Sequence, residues 1–258
     1  MSCNFPLLIP FGVEKVGRQI RQIGNAEIIQ LKNLLAEHGV VVLREQNADD
    51  KVFVDFLQRL GTITFTVGEK PVPNEPLLNV VSNVGRTRPP RSVFHTDTSY
   101  VAQPPAYTAL RIIAVPTSGG ETLFSNQYRA YETLPIWVKQ RLKSAKVQHV
   151  VSGLTLDDSQ EKQSWHPLFR EHPLSGRIAL YLSTPERCQQ ISGLSPAQSQ
   201  RAIKLLYRHS IRPRHLYRHQ WQAGDIVIWD NRCTMHRADH SQVVGDRILH
   251  RGLVKSTG

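Results

Sequence analysis

The sequence predicts a mainly β protein with flanking α-helices, built as a β-sandwich or barrel. Seven short apolar or alternating runs are spread along the chain, and two helical patterns precede them. Long polar excursions separate the runs, which argues against a regularly alternating parallel sheet. With 258 residues and 40% hydrophobic content, we expect a single domain over residues 1–258.

The first helix is predicted over residues 26–38 from its hydrophobic periodicity. Asn25 is the expected N-cap, and Gly39 is positioned to end the helix. The predicted buried face consists of Ile28, Ile29, Leu31, Leu34 and Leu35. The apolar run 40–43 then predicts a buried strand.

Two more helices are predicted from their start and stop signals. One covers about residues 49–60 and ends at Gly61. The other begins after Ser195, which is followed by proline and forms a capping box with Gln198. Its periodicity continues to about His209.

The other strands and the loops follow from local composition. The strands are expected at 77–82, 106–115, 121–125, 146–151, 177–183, 225–230 and 246–254. Segments rich in proline, glycine or polar residues predict loops or lids at 67–76, 84–92 and 152–173.

Composition limits the cellular setting. The first residues lack a basic n-region and no apolar run is long enough to span a bilayer, so we expect a cytoplasmic protein without membrane association. Three widely spaced cysteines, Cys3, Cys188 and Cys233, indicate reduced thiols rather than a disulfide framework or a zinc site.

The chain is strongly basic, with a net charge of +11 and no acidic residue between Arg187 and Gly224. Nucleic-acid binding, a solvated helix face and attraction of anionic substrates are three interpretations. The solvated face is favoured over nucleic acid, since no nucleic-acid motif or aromatic interleaving accompanies the charge.

The segment His95-Thr96-Asp97 is the most informative motif. In a strand, positions i and i+2 share a face, so His95 and Asp97 would be directed at one point. About one such pair is expected by chance among 11 histidines and 21 acids, so the motif is weak alone. His236, expected just beyond the strand that ends near Asp230, would complete a two-histidine, one-carboxylate iron site. His240 is a competing ligand.

Two arginines share one face of the last predicted strand. Arg247, Leu249, Arg251 and Leu253 alternate there, so two guanidinium groups would lie beside two apolar side chains. Inside a barrel, such a pair would bind carboxylate or sulfonate groups. The alternative is an edge strand with solvated arginines.

Three further residues are candidate pocket residues. Tyr100 and Phe94 flank the metal motif, and Asn79 lies on a strand that would border the site. Packing roles are the competing interpretation.

Taken together, these motifs resemble the taurine dioxygenase and 2,4-dichlorophenoxyacetate dioxygenase family of Fe(II)- and 2-oxoglutarate-dependent enzymes. The resemblance covers about residues 10–255. The matching elements are His95-Thr96-Asp97 with Pro104-Pro105, the Gly119–Thr122 segment, the His-Pro segment 166–173, Trp229–Arg232, His236, and the pair Arg247 and Arg251.

The resemblance implies a double-stranded β-helix, or jelly roll, and a role for each matched residue. His95, Asp97 and His236 would hold iron. Arg247, assisted by the Thr122 hydroxyl, would pair with the far carboxylate of 2-oxoglutarate, and Arg251 would bind the acidic group of the primary substrate.

The implied reaction couples O₂ and 2-oxoglutarate to oxidation, most simply hydroxylation, of a small organic anion, with release of succinate and CO₂. A sulfonate, an aryloxyalkanoate or an amino-acid-derived carboxylate is the expected substrate, and the family makes a homo-oligomer plausible. The alternative is a non-catalytic jelly-roll protein that binds a small acid or nucleic acid through its basic surface.

Overall fold

The computed structural model describes residues 7–8, 11–66, 68–85 and 92–256. Cys3, the start of the chain and most of the predicted loop 84–92 lie outside the described residues. The other two cysteines, Cys188 and Cys233, are buried free thiols, as predicted.

Five α-helices occur in the described ranges: α1 (Asn25–His38), α2 (Asp50–Leu60), α3 (Gln127–Glu132), α4 (Ile136–Arg141) and α5 (Pro196–Ser210). The three predicted helices are confirmed, and Ser195 and Gln198 form the capping box. Short 3₁₀ turns cover Ile20–Gln22 and Pro213–His215. Helices α3 and α4 were not predicted, because six residues are too few to display a helical period.

Two details of α1 differ from the prediction. Gly24, not Asn25, is the N-cap, and its N–H donates to the Glu27 carboxylate at 2.8 Å. Asn25 is instead the first helical residue. Ile29 is 62% exposed, because the buried stripe turns away from it. Gly39 ends the helix as predicted, in a left-handed conformation with φ 74° that glycine adopts without strain.

In the part of the chain that the structure describes, sixteen strands form four sheets. Their bounds are β1 (Val13–Lys15), β2 (Val40–Leu43), β3 (Thr62–Thr64), β4 (Pro71–Val72), β5 (Glu75–Ser82), β6 (Tyr107–Ala114), β7 (Thr122–Asn126), β8 (Lys146–Val150), β9 (Gln163–Pro167), β10 (Phe169–Glu171), β11 (Ile178–Leu180), β12 (Cys188–Ile191), β13 (Leu216–His219), β14 (Ile226–Asp230), β15 (Thr234–Ala238) and β16 (Ile248–Lys255).

The eight-stranded major sheet has the order β1-β2-β14-β6-β16-β5-β4, and β3 also pairs with β16. The minor sheet has the order β13-β7-β15. Strands β12-β8-β9 form a third sheet, and β10 pairs with β11. Every ladder is antiparallel except that between β1 and β2.

The major sheet is covered on both faces. On the outer face, Val41 and Ile228 pack with Leu35 of α1 and Phe53 of α2. On the inner face, residues of the major sheet pack against the minor sheet. This inner core includes Val42, Leu110, Trp229, Leu249, Phe124 and Tyr217. Two facing sheets with helices outside confirm the predicted mainly β sandwich, and the sheets are not closed into a barrel.

Several strand predictions need correction. The segment 152–173, predicted as a loop, contains β9 and β10. Strands β13 and β15 were not predicted, because their inward positions carry polar side chains and hide the alternation. In β13 the inward His219 is buried and bonded to Asp225 at 3.1 Å.

The basic stretch fits the solvated interpretation. Arg201, Lys204 and Arg208 lie on the exposed side of α5, and Arg212 and Arg214 after it are exposed too. Within the described ranges, no helix combines the length and the apolar character needed to cross a membrane.

Candidate active site

Three predicted ligands meet between the two sheets. The Nε2 atom of His95 lies 3.4 Å from Oδ1 of Asp97, and Nε2 of His236 lies 3.8 Å from Oδ2. One ligand atom from each residue falls within 4.8 Å of the other two. Two imidazoles and one carboxylate that occupy one face of a metal position suit a non-haem iron, because the opposite face stays open for other ligands. The predicted competitor, His240, is not part of this cluster.

The backbone brings the ligands together in a way that the sequence did not indicate. His95 is not in a regular strand but in an isolated bridge with His236, with reciprocal N–H to O bonds of 3.0 Å. A turn begins at Asp97, and Thr98 has a positive φ of 46°. His236 lies inside β15 rather than beyond a strand end. The turn therefore directs Asp97 toward His95, the role that the sequence had assigned to a strand.

Hydrogen bonds orient the ligands. The Nδ1 atom of His95 lies 3.0 Å from the Val93 carbonyl, which assigns the proton to Nδ1 and leaves the Nε2 lone pair for a metal. The Thr108 hydroxyl donates to Oδ2 of Asp97 at 2.8 Å. The Asn231 amide donates to Thr108 at 2.8 Å. No motif in the sequence indicated Thr108, which lies in the mainly apolar strand β6.

Trp229 does more than fill the core. Its Nε1 donates to the Asn231 side chain at 3.0 Å, and its ring lies 4.4 Å from the His236 ring, centroid to centroid. The tryptophan thus supports both the imidazole of His236 and the hydrogen-bond chain that reaches Asp97.

The protonation states suit metal binding. Burial opposes ionisation of Asp97, but His236, His95 and the Arg251 guanidinium hold the pKa of its carboxyl well below the usual range. Burial lowers the pKa of His236 to about 3. At neutral pH the carboxylate is ionised and the imidazole is neutral, as metal coordination requires.

Arg247 is a buried cation with an open donor. Its Nε donates to the Gly120 carbonyl at 2.6 Å, and its Nη2 donates to the Thr122 hydroxyl at 3.1 Å. Its Nη1 has no hydrogen-bond partner in the described structure. Burial lowers its pKa to about 10, so the group is still charged at neutral pH. A Cβ on Gly120 would lie 2.8 Å from Cδ of Arg247, so this glycine makes room for the arginine.

Arg251 lies four residues further on, as predicted on the same interior side. Its Nη2 contacts Oε1 of Glu69 at 3.2 Å, and its Nη1 lies 4.0 Å from Oδ1 of Asp97. Asn79 is directly opposite Arg251 in the β5–β16 ladder. The Asn79 side chain is fully buried, and neither its oxygen nor its nitrogen has a partner in the described structure.

One cavity of about 210 Å³ lies against the two histidines and the two arginines. Its lining includes His95, His236, Thr122, Arg247, Arg251 and Glu69. The solvated-arginine alternative is therefore wrong for Arg247 and Arg251. Tyr100 does not line this cavity; it lines a separate one of about 270 Å³, bordered by Leu156 and Glu161. Phe94 is core.

A buried cluster that includes His149 and His166 packs against the metal-motif turn and forms hydrogen bonds to it. The Ser99 hydroxyl lies 2.9 Å from Nδ1 of His149, and the Ser99 carbonyl lies 2.9 Å from Nε2 of His166. The Thr96 hydroxyl donates to the Leu182 carbonyl at 2.7 Å. His166 thus supports the turn and belongs to no metal cluster of the described residues.

We expect His149 to make the iron-free protein sensitive to acid. Burial lowers its folded pKa to about 3, against about 6.5 unfolded, so the unfolded chain binds an extra proton between these values and stability falls as the pH falls. This group alone should remove up to about 1.4 kcal/mol per pH unit below pH 6. Urea unfolding of the wild type and His149→Asn at pH 7.5, 5.5 and 4.5 measures it. The difference in unfolding free energy between the two proteins at pH 7.5 measures the packing cost of the substitution. If the unfolding free energies of both proteins fall equally with pH, the prediction is wrong.

The whole chain, and not only the metal motif, is similar to one known protein family. The sequence profile described as "Taurine catabolism dioxygenase TauD, TfdA family" matches residues 4–253. The chain belongs to this family.

Known relatives of this TauD/TfdA chain are also dioxygenases. It is 28% identical to an alpha-ketoglutarate-dependent 2,4-dichlorophenoxyacetate dioxygenase of Burkholderia sp. (strain RASC), over 97% of this chain and 94% of the relative. A taurine dioxygenase structure from Burkholderia xenovorans superposes with TM-score 0.84 and 29% identity, covering 98% and 90% of the two chains. The structure of AAD-2 in complex with Mn(II) and N-oxalylglycine has TM-score 0.87 and 24% identity, covering 100% and 99%.

TauD/TfdA membership confirms the predicted jelly-roll fold and the predicted enzyme class, a 2-oxoglutarate-dependent dioxygenase. This family uses Fe(II), 2-oxoglutarate and O₂, as expected. The residues present fit these groups: two neutral imidazoles and a carboxylate suit Fe(II), and the open Nη1 of buried Arg247 suits a carboxylate.

Proposed function

We propose that the chain is an Fe(II)- and 2-oxoglutarate-dependent dioxygenase that oxidises, most simply by hydroxylation, a small organic anion. One observation carries the proposal: a single cavity is lined by two imidazoles beside a carboxylate and by a buried arginine that forms no salt bridge with any described residue. A buried charge without a counter-charge is costly, so Arg247 is best explained by an anion supplied from outside.

In this proposal each residue has a separate task. His95, Asp97 and His236 hold the iron, and Thr108 fixes the Asp97 carboxylate. Arg247 and the Thr122 hydroxyl bind the far carboxylate of 2-oxoglutarate, which orients its keto acid toward the metal position. When iron is bound, the site couples decarboxylation of 2-oxoglutarate, which yields succinate and CO₂, to oxidation of the primary substrate.

The remaining residues belong to substrate recognition. Arg251 binds the acidic group of the primary substrate, and Asn79, opposite it in the ladder, offers an amide at the same end of the site. Tyr100 lines a separate cavity beside Thr98 of the metal-motif turn, so it would contact only a substrate large enough to reach that cavity. The relatives named for 2,4-dichlorophenoxyacetate and taurine support a carboxylate or sulfonate as the acidic group.

The broader setting stays a prediction from the sequence. We infer one dioxygenase domain over residues 1–258, a cytoplasmic location and assembly as a homo-oligomer. Nucleic acid is not a partner in this proposal.

The test is succinate formation by protein loaded anaerobically with Fe(II), then given 2-oxoglutarate and O₂. The panel contains sulfonates, aryloxyacids and amino acids, and reactions with N-oxalylglycine in place of 2-oxoglutarate are the control. Succinate that rises with one compound class supports the proposal and identifies the class. If the protein binds neither Fe(II) nor 2-oxoglutarate, the proposal fails and a non-catalytic binding protein takes its place.

A further inference from the structure

Glu69 places an acid beside the arginine proposed to bind the substrate. Its Oε1 lies 3.2 Å from Nη2 of Arg251, and both side chains line the cavity that contains His95 and His236. The Glu69 side chain is 36% exposed and the Arg251 side chain is 13% exposed, so the ion pair is partly shielded from solvent. From this pair, and resting on the proposed function, we infer that the primary substrate is a zwitterion: Arg251 binds its acidic group and Glu69 binds its ammonium group.

The charges of the site favour this substrate class. Fe(II) and Arg247 carry as much positive charge as Asp97 and the two carboxylates of 2-oxoglutarate carry negative charge. Arg251 and Glu69 then balance one another. A simple anion would add one negative charge beside Glu69, whereas a zwitterion keeps the site neutral and gives each charge a partner.

Arg187 lies near enough to act on His236 through its charge, but it does not line the cavity. It donates to the Thr96 carbonyl at 3.3 Å and to the Ser152 hydroxyl at 3.2 Å, and it is not among the lining residues. Its guanidinium therefore supports the metal-motif turn rather than offering a second anion site.

Asn79 supplies a second observation beside Arg251, behind the lining residues of the cavity. Its fully buried amide lies opposite Arg251 and has no partner for either polar atom within the described ranges. A buried amide left without hydrogen bonds is destabilising, which indicates a ligand or a ligand-induced rearrangement that satisfies it. Its oxygen can accept from an ammonium group, and its nitrogen can donate to an acid, so the side chain suits both ends of a zwitterion.

A purely structural role for Glu69 makes a different prediction. If the ion pair only anchors the segment before β4, then removing the Glu69 charge should weaken all substrates alike. If Glu69 binds an ammonium group, its removal should change the ratio between zwitterions and isosteric anions, because only the zwitterion loses a partner.

The experiment measures binding to protein loaded with Mn(II) and N-oxalylglycine, which stand in for iron and 2-oxoglutarate without turnover. Isothermal titration calorimetry compares two isosteric pairs: 2-aminoethanesulfonate with propane-1-sulfonate, and 3-aminopropanoate with butanoate. In the wild type we expect the zwitterion of at least one pair to bind about tenfold more tightly or better. In Glu69→Gln the preference should disappear or reverse, and Glu69→Asp should restore part of it.

Glu75→Gln is the matched control, since it removes an acid from the same hairpin away from the cavity lining and should leave the ratio unchanged. The inference is overturned if the wild type prefers the simple anions, if Glu69→Gln weakens both members of a pair equally, or if no zwitterion binds to the loaded protein. Failure to bind Mn(II) and N-oxalylglycine at all would instead contradict the proposed function.

Discussion

Replacing Asp97 by alanine should lower 2-oxoglutarate turnover by more than about 100-fold and weaken Fe(II) binding. Loss of a residue that only supports a metal ligand typically costs 10–100-fold, so loss of the carboxylate itself should exceed that range. The carboxylate is also the only acid of the three-residue cluster, so its removal takes away the negative charge that holds the cation. Anaerobic Fe(II) titration and succinate formation measure the two effects.

Two comparison variants separate this effect from a general loss of stability. Asp55→Ala removes an exposed acid of α2 that pairs with Lys51, and it should leave both measurements unchanged. Thr108→Val removes the hydrogen bond to Asp97 and should fall between the wild type and Asp97→Ala. If folded Asp97→Ala turns over 2-oxoglutarate as the wild type does, the iron assignment is wrong.

Arg247→Gln should raise the KM for 2-oxoglutarate by about 30-fold to several thousandfold. Removing one partner of a buried, hydrogen-bonded charge pair costs about 2–5 kcal/mol, and each 1.4 kcal/mol is a factor of ten. Arg247→Lys keeps a charge but loses the planar fork that contacts Gly120 and Thr122, so it should rescue only part of the loss. Binding of N-oxalylglycine to the Mn(II)-loaded protein gives the same comparison without turnover.

Arg251→Gln is the natural control for Arg247→Gln. Arg251 lies four residues further on and lines the same cavity, but it is proposed to bind the primary substrate. It should leave N-oxalylglycine binding nearly unchanged. Equal losses in the two variants would mean that the two arginines do not divide the ligands between them.

The sequence predicted those features of the fold and site that depend on residues close together in the chain. The capping box at Ser195 and Gln198 and the glycine at position 39 gave helix ends directly, because these are local chemical signals. The separation of the two arginines by four residues predicted a shared face, which the cavity confirms for Arg247 and Arg251.

Other features arise from contacts between distant segments and have no local signal. The hydrogen-bond chain from Trp229 through Asn231 to Thr108 joins residues that no periodicity connects. The pairing of Glu69 with Arg251 depends on how the segment before β4 meets β16. The predicted ligands His95 and Asp97 do lie close together, but a bridge and a turn direct them there, not the strand that the sequence indicated.

The bridge between His95 and His236 joins two distant parts of the chain through only one pair of backbone bonds. A metal held by His95, Asp97 and His236 would act there as a reversible cross-link around a very long loop. A ligand that binds the native state alone shifts the folding equilibrium toward it, and closing a long loop removes more freedom from the unfolded chain than closing a short one. Iron supply would then set the lifetime of the polypeptide as well as its activity, with metal-starved copies the first to reach proteases.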